Sequence, residues 1–250
     1  METFIKEIKK VKMNKPILIE GLPGIGLVGK LVADLIIEEL KAEKIAELYS
    51  PHFPHQVIMQ KSGIIKDIKN DFYLIKRKDN DLLILIGETQ AITSEAQYNI
   101  TEVIINYIKK NDCKLIITLG GYGTGIGTKN PKIFGAVNDE KLIGEYSKFD
   151  IQFGKTKGAI IGAAGLLLSL GKMKDIQGIC IMGETHGGYV DANAAKEMIK
   201  VLSKIFDLEL STKKLDNKAK ENKKLLDKIQ EQTKDQSIQN MGDLNLSYIR

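Results

Sequence analysis

Short, almost continuously apolar runs recur along the chain, and several are followed by a longer segment of helical periodicity. Residues 16–20, 82–86 and 115–119 are apolar at nearly every position, so each reads as a strand buried on both faces. Residues 44–48, 151–153 and 179–182 read as further strands. Residues 29–40 carry Leu31, Val32, Leu35, Ile36 and Leu40 on one helical face. Residues 93–110 do the same with Ala96, Ile100, Val103, Ile104 and Ile108. Residues 162–170 and 192–206 are also expected to be helices. Residues 56–68 and 71–77 alternate and lie close together, which predicts an antiparallel pair. Strand, helix, strand in repeated order predicts an α/β fold: a mixed, largely parallel sheet flanked by helices. No internal repeat of fixed period is visible.

The length of 250 residues, 43% of them apolar, suffices for one large domain and an appendage. The net charge of +5 is modest, and acidic residues are interspersed with basic ones, so no nucleic-acid partner is called for. Cys113 and Cys180 sit in or beside apolar runs and read as buried small hydrophobes. They make neither a disulfide framework nor a Cys-x-x-Cys metal site, which points to a reducing compartment. Residues 1–15 are charged and lack the apolar centre of a signal peptide. The longest apolar stretch, 159–170, is too short and glycine-rich to span a membrane. A cytoplasmic location without a membrane partner is therefore expected.

The sharpest local motif is Gly21-Leu-Pro-Gly24-Ile-Gly26-Leu-Val-Gly29-Lys30-Leu31, between a strand and a helix. Gly24, Gly26 and Gly29 satisfy the dinucleotide pattern G-x-G-x-x-G, and Glu47 near the end of the next strand is where a ribose contact is expected. The P-loop spacing is met too, but Leu31 replaces the Mg²⁺-binding hydroxyl. Against the dinucleotide reading, Tyr49-Ser-Pro-His52-Phe-Pro-His55 leads into a hairpin rather than a helix. The other reading is that the glycines permit a tight turn and close packing.

Three more strand ends carry glycine: Gly87-Glu88-Thr89-Gln90, Gly120-Gly121-Tyr122-Gly123-Thr124-Gly125-Ile126-Gly127 and Gly183-Glu184-Thr185-His186-Gly187-Gly188. Were these loops to converge, Glu88, Glu184 and His186 would form an acid/base pocket. Otherwise the glycines end strands, while Thr89, Thr93 and Asp191 are helix N-cap types. No nucleophile, base and orienter trio is evident. His52 and His55 lack helical metal-site spacing and a matching third ligand, so no metal centre is expected.

The ordered set Gly21-Leu-Pro-Gly24-Ile-Gly26-Leu-Val-Gly29, Gly87-Glu88-Thr-Gln90, Thr118-Leu-Gly120-Gly121-Tyr122, Pro131-Lys-Ile-Phe-Gly135, Gly162-Ala-Ala-Gly165, Gly183-Glu184-Thr-His-Gly187 and Asp191-Ala-Asn-Ala-Ala195 closely resembles the proteasome assembly chaperone 2 family in its archaeal form. The resemblance covers about residues 12–210. It implies a fold like that of purine nucleoside phosphorylases, no catalytic activity, no cofactor, homo-oligomers, and partnership with 20S proteasome α subunits or the α ring.

After residue 210 the chain turns polar and lysine-rich. Residues 1–210 are expected to form the α/β domain, 211–239 a charged helical or coiled-coil arm, and 240–250 a flexible tail. The resemblance makes Tyr248, Ile249 and Arg250 the docking residues. The family's pattern is a hydrophobic residue, then Tyr, then any residue; here the aromatic stands one place early. The alternative to a non-enzymatic chaperone is a nucleotide- or nucleoside-binding enzyme, phosphorylase-like or Rossmann-like, using the Gly24, Gly26 and Gly29 loop.

Overall fold

The computed structural model describes residues 1–217. In chain order its elements are β1 (Phe4–Glu7), β2 (Ile17–Glu20), α1 (Val28–Glu39), β3 (Glu43–Tyr49), β4 (Val57–Met59), β5 (Ile65–Asp67), β6 (Asn70–Ile75) and β7 (Leu82–Gly87). There follow α2 (Ser94–Lys110), β8 (Leu115–Gly123), β9 (Ile133–Val137), α3 (Lys141–Tyr146), β10 (Ile151–Phe153), α4 (Ala163–Met173), β11 (Gln177–Thr185) and α5 (Ala192–Phe206). Nine strands form one sheet in the order β1-β3-β6-β7-β2-β8-β11-β9-β10. The central strands β7, β2, β8 and β11 are parallel to one another, and antiparallel pairings flank them on both sides. The expected mixed sheet is thus present, with its parallel part at the centre.

The apolar strands are central because helices cover both faces of the sheet. Ile19, Ile84, Ile117 and Ile181 face α1, α3 and α5, whereas Leu18, Leu83, Leu85 and Ile116 face α2 and α4. Helix α5 buries Met198, Leu202 and Phe206 at i, i+4, i+8 spacing. Burial of side chains this size contributes about 1.5–3 kcal/mol each. Packing continues past residue 210: Leu215 is buried against the α1/α5 layer, and Lys196 pairs with Asp216 at 2.5 Å.

Three sequence expectations are corrected. Residues 56–68 do not pair with 71–77. The Lys61-Ser62-Gly63 break, with Gly63 at φ 81°, folds that run back on itself as β4 and β5, a separate two-stranded sheet. Strand β6 instead inserts between β3 and β7, leaving both its edges paired. The glycines at 120–123 and Gly183-Glu184-Thr185 are not loops: β8 and β11 run on through them, paired as far as Thr185 with Gly123. Strand β3 is separated from β2 by β6 and β7, so the adjacent pair that a dinucleotide-binding unit requires is missing.

Candidate functional site

The helix after β7 lies on one face of the sheet and the helix after the neighbouring strand β2 lies on the other. The crevice outside the carboxyl ends of β2, β7, β8 and β11 is therefore the position where α/β sheets hold ligands. A cavity of about 680 Å³ opens there on the α2/α4 face. The first turns of α2 and α4 form its walls, and Gly120–Gly123 of β8 with Met182 of β11 form much of its floor. Ile25, Ile92, Tyr98 and Ile161 stand exposed around its mouth.

The three glycines of the loop after β2 serve different ends. Gly24 faces the cavity, and a Cβ there would meet nothing within 4 Å. Gly26, at φ 63°, packs under Thr185, which a Cβ would approach to 2.8 Å. Gly29 lies against the β8 backbone, so closely that a Cβ would stand 2.2 Å from the Leu119 carbonyl oxygen. That contact explains Gly29 as a helix–sheet packing residue. Lys30 lies along α1 and pairs with Asp34 at 3.2 Å.

Gln90 ties this loop to the opposite wall. Its Nε2 donates to the Pro23 carbonyl at 2.8 Å, and its Oε1 accepts from the first N–H of α4, that of Ala163, at 2.8 Å. Gly162 sits at φ 84° where a Cβ would press on the Gln90 amide. Thr93 caps α2 by accepting from Ala96 N–H at 3.3 Å.

The acid/base candidates are not brought together. Glu88 pairs with Lys66 of β5 at 2.8 Å, and that ammonium holds its carboxyl below the ordinary value. Glu184 accepts from the backbone N–H of Lys132 at 3.1 Å. His186 stacks on Tyr189 with ring centroids 5.2 Å apart. None of the three lines the cavity. His52 and His55 are both exposed. Among the described residues no three His, Cys, Asp or Glu side chains come close enough to hold a metal ion, and no helix is long and apolar enough to cross a membrane. Cys113 and Cys180 are buried free thiols, as their apolar runs predicted.

Glu47 belongs to another cluster, where Lys44 at 2.6 Å, Lys69 and the Tyr49 hydroxyl surround it. Burial works to raise its carboxyl, but those hydrogen bonds outweigh it and hold the group at about 2. It is a structural anion on β3, away from the cavity. Sequence reasoning gives two cavity residues no role. Glu20 had a signal, a lone acid closing an apolar strand; Gln90 had only its place in a Gly-Glu-Thr-Gln run. Tyr248, Ile249 and Arg250 lie outside the described residues.

Comparison with known proteins places these features in a wider set. The model of the PAC2 family matches residues 18–230. An uncharacterized protein of Methanocaldococcus jannaschii is 35% identical over 230 residues, covering 92% of this chain and 89% of the relative. Among solved structures, PbaB of Pyrococcus furiosus, an archaeal proteasome activator, is 40% identical with a TM-score of 0.87, covering 92% of this chain and 99% of that one. PbaA of the same organism, an archaeal homolog of proteasome-assembly chaperone, is 25% identical with a TM-score of 0.76, covering 98% and 99%.

Proposed function

This chain belongs to the PAC2 family, and from that premise we propose that it is a cytoplasmic, non-enzymatic, homo-oligomeric partner of the 20S proteasome that engages the α ring through Tyr248, Ile249 and Arg250. The observation that carries this reading is the similarity to the proteasome activator PbaB over nearly the whole of both chains. The higher identity to an activator than to the chaperone homolog PbaA favours the assembled ring over free α subunits as the partner.

The separate engagement of Glu88, Glu184 and His186 supports a binding role over catalysis. The packing of Gly26 and Gly29 against Thr185 and Leu119 speaks against a nucleotide cradle at the loop. Self-association is supported by the hairpin β4–β5, where Val57, Met59, Ile64 and Ile65 are all exposed. A terminal carboxylate with apolar neighbours suits a basic pocket between subunits, and several tails on one oligomer would bind with avidity.

The test is a pull-down of assembled α rings and of free α subunits by the full chain and by a form lacking residues 248–250. Capture of rings by the full chain alone supports the reading. Equal capture by both forms overturns the tail's role, and capture of free subunits only would make the chain an assembly factor instead.

A further inference from the structure

The carboxyl end of β2 carries an acid that the fold uses only in part. Glu20 is 1% exposed, lies on the α2/α4 face of the sheet and lines the cavity. Its Oε1 accepts from the backbone N–H of Leu22 at 2.9 Å, while Oε2 has no hydrogen-bond partner among the described residues. The register sets Glu20 beside Thr118 and Thr118 beside Cys180. In-register residues of parallel strands share a face, so a carboxyl, a hydroxyl and a thiol form one row across β2, β8 and β11. The Thr118 hydroxyl is likewise buried, and among the described residues only the Cys180 thiol engages it. Unsatisfied buried polar atoms are uncommon in folded proteins, and a carboxyl oxygen left so in the lining of a cavity calls for a ligand or a solvent partner.

The lining contains no Lys, Arg or His and no second carboxylate among the described residues. What surrounds Glu20 is uncharged: Leu85 beside it on β7, Thr118 beside it on β8 and Cys180 one strand further on, with Gln97 and Tyr98 of α2 and Gln90 among the lining residues. Burial, opposed only by the Leu22 N–H, pushes the Glu20 carboxyl up to about 8, and burial, opposed by a hydrogen bond with the Thr118 hydroxyl, pushes the Cys180 thiol up to about 12. At neutral pH the row offers hydroxyl and thiol hydrogens and carries no charge. The walls above it are largely apolar, from Leu22, Ile160 and Leu166. Cavities of this size with apolar walls and few convergent polar groups are the usual form of small-molecule sites.

We propose that this cavity binds an uncharged small molecule with an apolar body, whose carbonyl oxygen is hydrogen-bonded by the Glu20 carboxyl. An ammonium ligand would instead require Glu20 to ionise, and a carboxylate would have to rely on the N-terminal turns of α2 and α4 alone.

Three probes share one apolar body and differ in the polar head: 4-phenylbutanamide, 4-phenylbutylamine and 4-phenylbutanoate. Titration calorimetry on the full chain at about pH 6, where Glu20 holds its proton, and at about pH 9.5, where it does not, reads the head-group preference. The amide is expected to bind saturably at the lower pH and to weaken about tenfold at the higher one, as for loss of one hydrogen bond. Glu20→Met should weaken the amide about tenfold at the lower pH, and Glu20→Gln should bind it with no pH dependence. Ala164→Leu, on the half-buried wall, should block the probe sterically without touching the acid. No saturable binding of the amide, preference for either charged probe, or binding unchanged in both Glu20→Met and Ala164→Leu would each overturn the proposal.

Discussion

The Thr185 hydroxyl, on the last residue of β11, donates to Asp191 Oδ2 over 2.8 Å. The other carboxylate oxygen of Asp191 accepts from Asn193 N–H and Ala194 N–H at 3.1 and 3.0 Å, capping α5, and the Asp191 N–H donates to the Gly26 carbonyl at 2.9 Å. One buried aspartate therefore joins a sheet end, a helix start and the glycine loop. Asp191→Ala is expected to lower stability by about 2–3 kcal/mol, from the lost cap and the unpaired buried groups left behind. Asp191→Asn, which keeps an acceptor for the cap, should lose less. Urea unfolding followed by circular dichroism measures both.

Gly29 and Gly24 should respond oppositely to alanine. Within a helix Gly→Ala ordinarily gains up to about 1 kcal/mol. At Gly29 the new methyl group would collide with the Leu119 backbone, so Gly29→Ala is expected to destabilise by about 3 kcal/mol or more. Gly24→Ala meets open space at φ −147° and should change stability by no more than about 0.5 kcal/mol. If thermal unfolding showed the two variants equally stable, the packing role assigned to Gly29 would be wrong.

Glu20 makes stability depend on pH in a defined window. Its folded-state value of about 8 lies above the ordinary 4.5, so between these the native protein holds a proton that the unfolded chain has released. Stability should fall as pH rises through that window, by about 1.4 kcal/mol per pH unit at most, and level off above it. Glu20→Gln should remove this slope, and Glu20→Met should raise stability at pH 8 by removing an unsatisfied buried acid. Denaturant melts of the three proteins across the window give the answer; identical slopes in wild type and Glu20→Gln would place the titration elsewhere.

The hairpin gives a separate handle on assembly. Met59→Glu with Ile65→Glu puts two charges on exposed strand positions that the chain's own core does not use. On the self-association proposed above, light scattering should show a smaller species while circular dichroism keeps the parent spectrum. Retention of the parent mass would count against β4–β5 as that proposed surface.

The central parallel strands were readable because Leu82–Gly87 and the start of β8 are apolar at both alternating positions, which only burial on two faces explains. Helices α2 and α5 were readable from their apolar stripes and from Thr93 and Asp191 as caps. The strand ends were not. Gly120, Gly121 and Gly123 carry turn chemistry, yet they lie in a strand because β11 pairs with them and the Ile25 carbonyl packs where a Gly121 side chain would stand. That is tertiary context overriding local preference. The cavity was hidden for a similar reason. Glu20, Gln90 and Gly162 lie far apart in the chain, and only the fold gives Gln90 its two partners.

Leu215 is buried beside α1 and α5, on the layer opposite the cavity. A molecule seated among α2, α4 and the strand ends would lie across the sheet from that layer. Any influence of its binding on the α1/α5 face would have to travel through the central strands.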